Sequence, residues 1–457
     1  MVWTIIAGLL LAAVIVWLSL PRQADADAED DAAVRTALDG DATRSAGSAS
    51  HGDLDPAFSS SRPSGSELIE VCGLGWVEPN ASGVWDTAAV SAVPDVLASQ
   101  RAVLDSIRRN DGDLGAAIAT VLELHGAARE DHAASPASAL RCTGSECASG
   151  EPGRQLAAGL LEQLAKQATA TLDARVYAMA LKECESAPAQ GSCALLNLEQ
   201  WARLDDGNAM PWLHLLQRAR QRNDAAQIHE ALYRIGAAAR FDARPFAAAG
   251  SVADHAGPSD LDVMAAQLLA VDAFMQASAR QPAFQALTLV CTGAALADAN
   301  RRQACDSAAA TLAERSDSLL AVVVGATLGR RLGWPDDRID ALRGLQLAGE
   351  AMVREGESTE AATAATNLPS TCRGARRLLA LFSRQGHAGE VQPVREWLAA
   401  RGASIAPYAR RAHEILRKRD EAESPSVAAA SASAAASAVA MASDGATPYS
   451  GVPQPDR

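Results

Sequence analysis

From residue 67 to residue 420, apolar positions recur at the three-to-four-residue spacing of a helix that buries one face. The spacing predicts helices over 84–109, interrupted around Pro94, and over 113–127, 154–168, 172–184, 193–203, 209–222 and 224–239. It predicts further helices over 260–280, 282–297, 300–315, 317–332, 336–354, 373–385, 388–401 and 407–419. Turn residues punctuate the pattern at Asp111-Gly112, Asp206-Gly207, Gly333-Trp334-Pro335 and Gly386. Leu68-Ile69-Glu70-Val71-Cys72 is the exception, and reads as a short strand or an extended cap before Gly73 and Gly75. Short connections make successive helices antiparallel neighbours. The expected class is all-α, an array of antiparallel helix hairpins.

The periodic pattern stops at both ends. Val2–Leu20 is uncharged and apolar apart from Thr4 and Ser19, and about 20 such residues cross a bilayer. Two readings stand: residues 1–21 are an uncleaved membrane anchor, or a signal peptide cut near the small-residue pairs of Ala24-Asp25-Ala26 or Ala26-Asp27-Ala28. The anchor reading is preferred, because no Lys or Arg precedes the apolar run and the run is long. Residues 22–66 are rich in Ala, Asp, Ser and Gly and bury too little to offset the entropy of ordering, so they are expected to form a disordered acidic tether. Residues 421–457, an Ala/Ser tract followed by Gly and Pro, read as a disordered tail. A helical domain over 67–420 is left between them.

Within that domain the clearest unit runs from Cys184 to Ile235. Asp205-Asp206-Gly207-Asn208 is a turn in which Asn208 can cap the next helix, and Pro211 falls in the first turn, where a missing N–H costs little. Trp212, Leu215, Leu216 and Ala219 then build one apolar face. Asn223-Asp224 breaks and restarts the helix, and Ile228, Leu232 and Ile235 build a second face. This unit resembles a tetratricopeptide repeat in Trp212, Leu215 and Asn223-Asp224, which match that family in order and spacing. It departs from the family where Leu216 and Ile228 replace small residues, and the chain lacks a tandem 34-residue period. Thr371–Ala400 forms a second helix-turn-helix around Gly386. The resemblance covers about 50 residues, and a generic helical hairpin is the alternative. It implies an α-solenoid whose first helices line a concave groove for a protein or peptide partner. Met210, Leu213, His214, Gln217, Arg220 and Gln221 would then face the groove. The competing reading is that they are a solvated or packed helix face.

The eight cysteines sharpen the compartment. Cys184 and Cys193 flank one predicted interhelical corner, and Cys291 and Cys305 lie about equally far from the break near Asp298–Asn300. Cys142 and Cys147 flank Thr-Gly-Ser-Glu in a loop; Cys72 and Cys372 are left over, and pairing them would join the two ends of the folded region. Disulfides are therefore expected, and they persist in oxidising compartments. The Cys184…Cys193 hairpin is similar to the staples of Sel1-like helical-repeat proteins, which implies a secreted or periplasmic setting. Arg22 alone argues for the opposite orientation of the anchor, and the cysteines outweigh it. The expected location is a bacterial inner membrane, crossed once, with the main domain periplasmic.

Charge and motifs add mostly exclusions. A formal charge of −14 and a pI near 5.1 disfavour a nucleic-acid partner. No His-Glu-x-x-His, phosphate-binding Gly-rich loop or Gly-x-Ser-x-Gly elbow is present. Neither zinc spacing nor Cys-x-x-Cys appears, so no metal and no cofactor are expected. His125 and His132 fall on either side of an expected helix end; His214 and His229 lie on successive helices and read as surface residues. Glu357-Ser358 nominally matches the Glu-Ser pair of lytic transglycosylases, but the Gly-Leu-x-Gln segment is missing and the pair reads as a loop. The functional expectation is a membrane-anchored scaffold or adaptor and not an enzyme. The alternative is an envelope hydrolase with a site assembled from dispersed residues.

Overall fold

The structure, a computed structural model, describes residues 69–77, 90, 93–133, 151–185, 191–279, 284–358 and 371–418. The anchor, the tether, the tail and the pair Cys142 and Cys147 lie outside these residues. Among the described residues, no helix is long and apolar enough to cross a membrane.

Apart from one two-stranded hairpin the described chain is helical. The hairpin pairs β1 (Ile69–Val71) with β2 (Gly75–Val77), antiparallel, where the sequence predicts a strand or an extended cap. Gly73 makes its turn with φ of 75°, and a Cβ there would lie 2.6 Å from the backbone of Leu261. Glycine is needed for both reasons. Helices α1 (Pro94–Asn110), α2 (Gly112–Ala133), α3 (Glu151–Ala170) and α4 (Ala174–Glu185) follow. Pro94 opens α1 at its first turn; residue 90 before it is helical, and residues 84–89 of the predicted helix lie outside the described residues. The next run is α5 (Leu198–Leu204), α6 (Ala209–Gln221), α7 (Ala225–Ala237), α8 (Ala247–Asp254) and α9 (Asp260–Ala279). Then come α10 (Phe284–Val290), α11 (Ala299–Glu314), α12 (Leu319–Leu332), α13 (Asp336–Ser358), α14 (Cys372–Ala388), α15 (Val391–Ala400) and α16 over 406–418.

Local chemistry sets many of the boundaries. Asn197, Asn208, Asp224, Asp298 and Thr371 each accept a backbone N–H in the first turn of the helix that follows. Gly333, left-handed, ends α12. The predicted helix over 282–297 splits into α10 and a 3-10 turn (Gly293–Ala297), with Gly293 at φ of 59°. Helix α8 is absent from the sequence prediction: it is short, rich in Ala, and shows no extended apolar stripe.

Three hydrophobic clusters form. The first gathers α3 to α7 and α10 to α12, with Trp201, Leu213, Leu216, Leu232, Ile235 and Phe241 inside. The second joins segments far apart in sequence: the hairpin, α1 and α2 from the beginning, α8 and α9 from the middle, and α14 from the end. Phe246, Phe274 and Phe382 meet there, with ring centroids 4.6 to 5.9 Å apart. Helices α8 and α14 cross at Gly250 and Gly386, where a Cβ on either would lie 2.7 Å from the other's Cα. The third cluster, around Val322, Val394 and Tyr408, is built by α12, α13, α15 and α16. Helix pairs adjacent in sequence pack throughout, as in α6 with α7 and α11 with α12, but α1 also packs on α9, and α8 on α14.

Asp317 joins the loop before α8, the start of α12 and the turn after α14. Its carboxylate accepts the N–H groups of Ala243 (2.8 Å) and Arg244 (3.1 Å), and its carbonyl accepts the N–H of Glu390 (2.7 Å). The Glu390 carboxylate in turn accepts the N–H of Leu319 at 3.0 Å. Burial raises both acids, Asp317 to about 6 and Glu390 to about 7, and the Asp317 charge adds to the effect on Glu390. Arg244 is held at φ of 43°, a left-handed conformation unusual for a side-chain-bearing residue.

Candidate functional site

The predicted groove residues separate on inspection. Helix α6 is buried on more than one side, because α5, α7 and α10 all pack on it. Met210 and Leu213 are therefore core residues, 2% and 0% exposed, and offer no groove surface. His214 is tucked against Trp201, with ring centroids 5.4 Å apart, and burial pushes its imidazole down to about 4. That is not the surface position its sequence context suggests. Gln217 is half-buried, whereas Arg220 and Gln221 are exposed. The expected apolar faces form: Leu215, Leu216, Ala219, Leu232 and Ile235 are buried, Ile228 is half-buried, and Trp212 is half-buried beneath the Arg234 guanidinium at 5.3 Å.

Six of the cysteines form three disulfides: Cys72–Cys372, Cys184–Cys193 and Cys291–Cys305. Their Cα separations of 4.5, 5.5 and 5.7 Å lie within the range such bonds require. Cys72, Cys372 and the Asp260 carboxylate converge as a metal site would, but the two sulfurs are bonded to each other and Asp260 pairs with Arg376 at 2.8 Å.

A second constellation lies where the first two clusters face each other. A cavity of about 120 Å³ opens between α2, α4, α6, α8, α9 and the loop that leads into α8. His125 enters from α2 and Glu183 from α4, with the His125 Nε2 atom 3.2 Å from the Glu183 Oε1 atom. Both side chains are more than nine-tenths buried. The His125 Nδ1 atom is also buried and has no hydrogen-bonding partner. Apolar side chains, Leu122, Met179 and Met210 among them, make up much of the remaining wall. Lys182, Arg244 and Gln276 line the cavity from partly or fully exposed positions and so mark its solvent side. Lys182 leans over Trp201 at 5.9 Å, and Arg244 pairs with Asp242 at 3.5 Å. Among the described residues that line it, there is no hydroxyl or thiol nucleophile.

The sequence reading did not foresee this pair. It placed His125 beside a helix end, but α2 continues through Ala133. A signal was available: His125 follows Ile118 and Leu122 at helical spacing, and Glu183 follows Val176 and Ala180 in the same way. A polar residue in the apolar stripe of each of two helices is a candidate for a buried pair. Of the other histidines, His229 is exposed. Glu357-Ser358 forms the last turn of α13 and is not in a loop.

No protein-family model, curated protein or solved structure matches this chain.

Proposed function

We propose that this chain is an extracytoplasmic helical interaction protein, tethered to a membrane by residues 1–21, whose array of helix hairpins serves as a scaffold or adaptor for envelope proteins. The observation that carries the reading is the disulfide set. Every cysteine among the described residues is paired, and such bonds persist where the surroundings are oxidising. The resemblance of Trp212, Leu215 and Asn223-Asp224 to a tetratricopeptide repeat supports a role in protein binding. With Met210 and Leu213 committed to the core, the contact surface on α6 reduces to Gln217, Arg220 and Gln221.

The test has two arms. A topology reporter fused after residue 420 should report an extracytoplasmic C-terminus; a cytoplasmic signal rejects the location. Cross-linking in intact envelopes through Arg220 should yield a defined partner, lost in Arg220→Glu. A partner retained at full yield after that reversal rejects the α6 surface.

A further inference from the structure

We propose that the exposed basic face of α14 is the docking site of this chain's own acidic segment, residues 25–31. This goes beyond the scaffold reading and does not depend on it.

The charge is unevenly distributed. Residues 372–418 hold ten Lys and Arg against three Glu, in a chain whose formal charge is −14. Helix α14 contributes four of these arginines and no acid. It packs on α8, α9 and α15, with Ala375, Leu379, Phe382 and Gln385 buried. Arg373, Arg377 and Arg384 recur at helical spacing along the opposite side, and all three are exposed. Arg376 and His387 lie at one edge of this line, where Asp260 and Asp254 each meet them at 2.8 Å. From Arg373 to Arg384 the stripe runs about 16 Å. A row of this kind suits an extended acidic chain, which can meet its cations one after another along the helix.

The sequence supplies such a chain. Residues 25–31, Asp-Ala-Asp-Ala-Glu-Asp-Asp, carry five acids and no base. Extended, seven residues cover about 20 Å, close to the length of the stripe. Topology puts the segment within reach. The first described residue is Ile69 in β1, and Cys72, which follows that strand, is bonded to Cys372, the first residue of α14, with a Cα separation of 4.5 Å. The N-terminal segment therefore joins the fold beside the start of the basic stripe. Asp31 precedes Ile69 by 38 residues, and a random chain of that length spans about 35 Å, more than enough to lay the segment along α14. A segment linked in this way meets the face at an effective concentration on the order of millimolar. Surface ion pairs that are individually weak then add up to a populated contact.

The test is photo-cross-linking of the full-length oxidised protein in neutral detergent, with Ala28 replaced by a photoreactive amino acid and the linked peptides identified by mass spectrometry. Isotope-labelled and unlabelled protein are mixed before irradiation, which separates links within a chain from links between copies. The main product should join position 28 to α14 of the same chain, and its yield should fall about fivefold between 50 mM and 1 M salt. Arg373→Glu, Arg377→Glu and Arg384→Glu together should abolish it. Adding Asp25→Lys, Asp27→Lys, Glu29→Lys, Asp30→Lys and Asp31→Lys to that variant should restore it, because the charges are exchanged and not removed. Circular dichroism checks that each variant is folded; if the Arg variants are not, the wild-type map, its salt dependence and the five Lys substitutions alone, which should abolish the link, decide the matter. Links scattered over the body or centred on another surface, links mainly between labelled and unlabelled chains, or a yield that ignores both salt and charge reversal would each overturn the proposal.

Discussion

Removing the Cys72–Cys372 bond should destabilise the protein more than removing either of the other two described disulfides. The bond closes a loop of 300 residues, whereas the others close loops of 9 and 14. If a crosslink acts by restricting the unfolded chain, its contribution grows with the logarithm of loop length. That gives about 5–6 kcal/mol for Cys72–Cys372, against about 2.5 for Cys184–Cys193 and about 3 for Cys291–Cys305. Residual structure in the unfolded chain reduces the largest figure most, so a difference of about 2 kcal/mol is the expected minimum. The experiment compares urea unfolding of three double Cys→Ala variants, followed by far-ultraviolet circular dichroism. Each variant loses two sulfurs, and all but one of the six cysteines are buried, so the packing loss is similar and largely cancels. Hydrogen exchange adds a local readout. The Cys72/Cys372 variant should lose protection first in β1 and β2 and at the N-terminal turn of α14, the segments that the bond fastens together. Equal midpoints and slopes for the Cys72/Cys372 and Cys184/Cys193 variants, with protection of the hairpin unchanged, would refute the argument that this bond holds the ends of the fold together.

Two further substitutions probe how the helices meet. Gly386→Ala places a methyl 2.7 Å from the Gly250 Cα and should cost about 1–3 kcal/mol through overpacking, read as a lower urea midpoint; a neutral result would mean that α8 and α14 separate freely. Glu390→Gln tests the acid at the junction. Its folded-state value is raised from 4.5 to about 7, so the stability it contributes is complete below 4.5 and is lost as pH rises through 7. Asp317, raised from 3.8 to about 6, acts with the same sign. The Gln variant should therefore be more stable than the wild type at pH 8 by about 1–2 kcal/mol, after allowance for water at this half-buried side chain. The difference should vanish near pH 4.5. Thermal unfolding across that range measures it, and a wild type that gains stability relative to the variant as pH rises contradicts the assignment.

The helices were legible in the sequence because their determinants are local. The cap at Asn208, the Pro211 position and the Asn223-Asp224 break specify α6 and α7 to within a residue or two of the observed ends. Two of the disulfides were legible for a similar reason: Cys184 and Cys193, like Cys291 and Cys305, flank one corner, so proximity in sequence already implies proximity in space. The face of α6 was not. Periodicity shows that Trp212, Leu215, Leu216 and Ala219 share one face, but not that α10 returns from residue 284 to cover another. Met210 and Leu213 were assigned to a groove because a repeat leaves that face open, and here a later helix closes it. The cavity depends on the same kind of information. His125 and Glu183 stand 58 residues apart, and only the register of α2 against α4 brings them together.

The start of α12 shows how far a local rule carries. Ser316-Asp317-Ser318 before an apolar run has the composition of a helix cap, and the sequence predicts a helix from residue 317. The helix begins at Leu319, and Ser318 makes no side-chain cap. The Leu319 N–H is accepted by Glu390, 71 residues away, while the Asp317 carboxylate faces the other way and accepts Ala243 and Arg244. The capping function is therefore supplied by a distant residue, and the residue best placed to cap locally is spent on joining segments. This exchange has a cost, since two half-buried carboxylates lie near each other and both are raised towards protonation. Such a cost persists only where the surrounding structure over-determines the arrangement. Here it links the loop that walls the cavity, the helix that enters the third cluster and the turn after α14. A displacement of the α14–α15 turn would be felt through Glu390 and Asp317 at Ala243 and Arg244, and hence at the cavity wall. On this geometry, Asp317→Asn, which weakens the acceptor for the Ala243 and Arg244 N–H groups, should speed hydrogen exchange at those two amides, and unchanged exchange there would mean that the junction does not hold the loop.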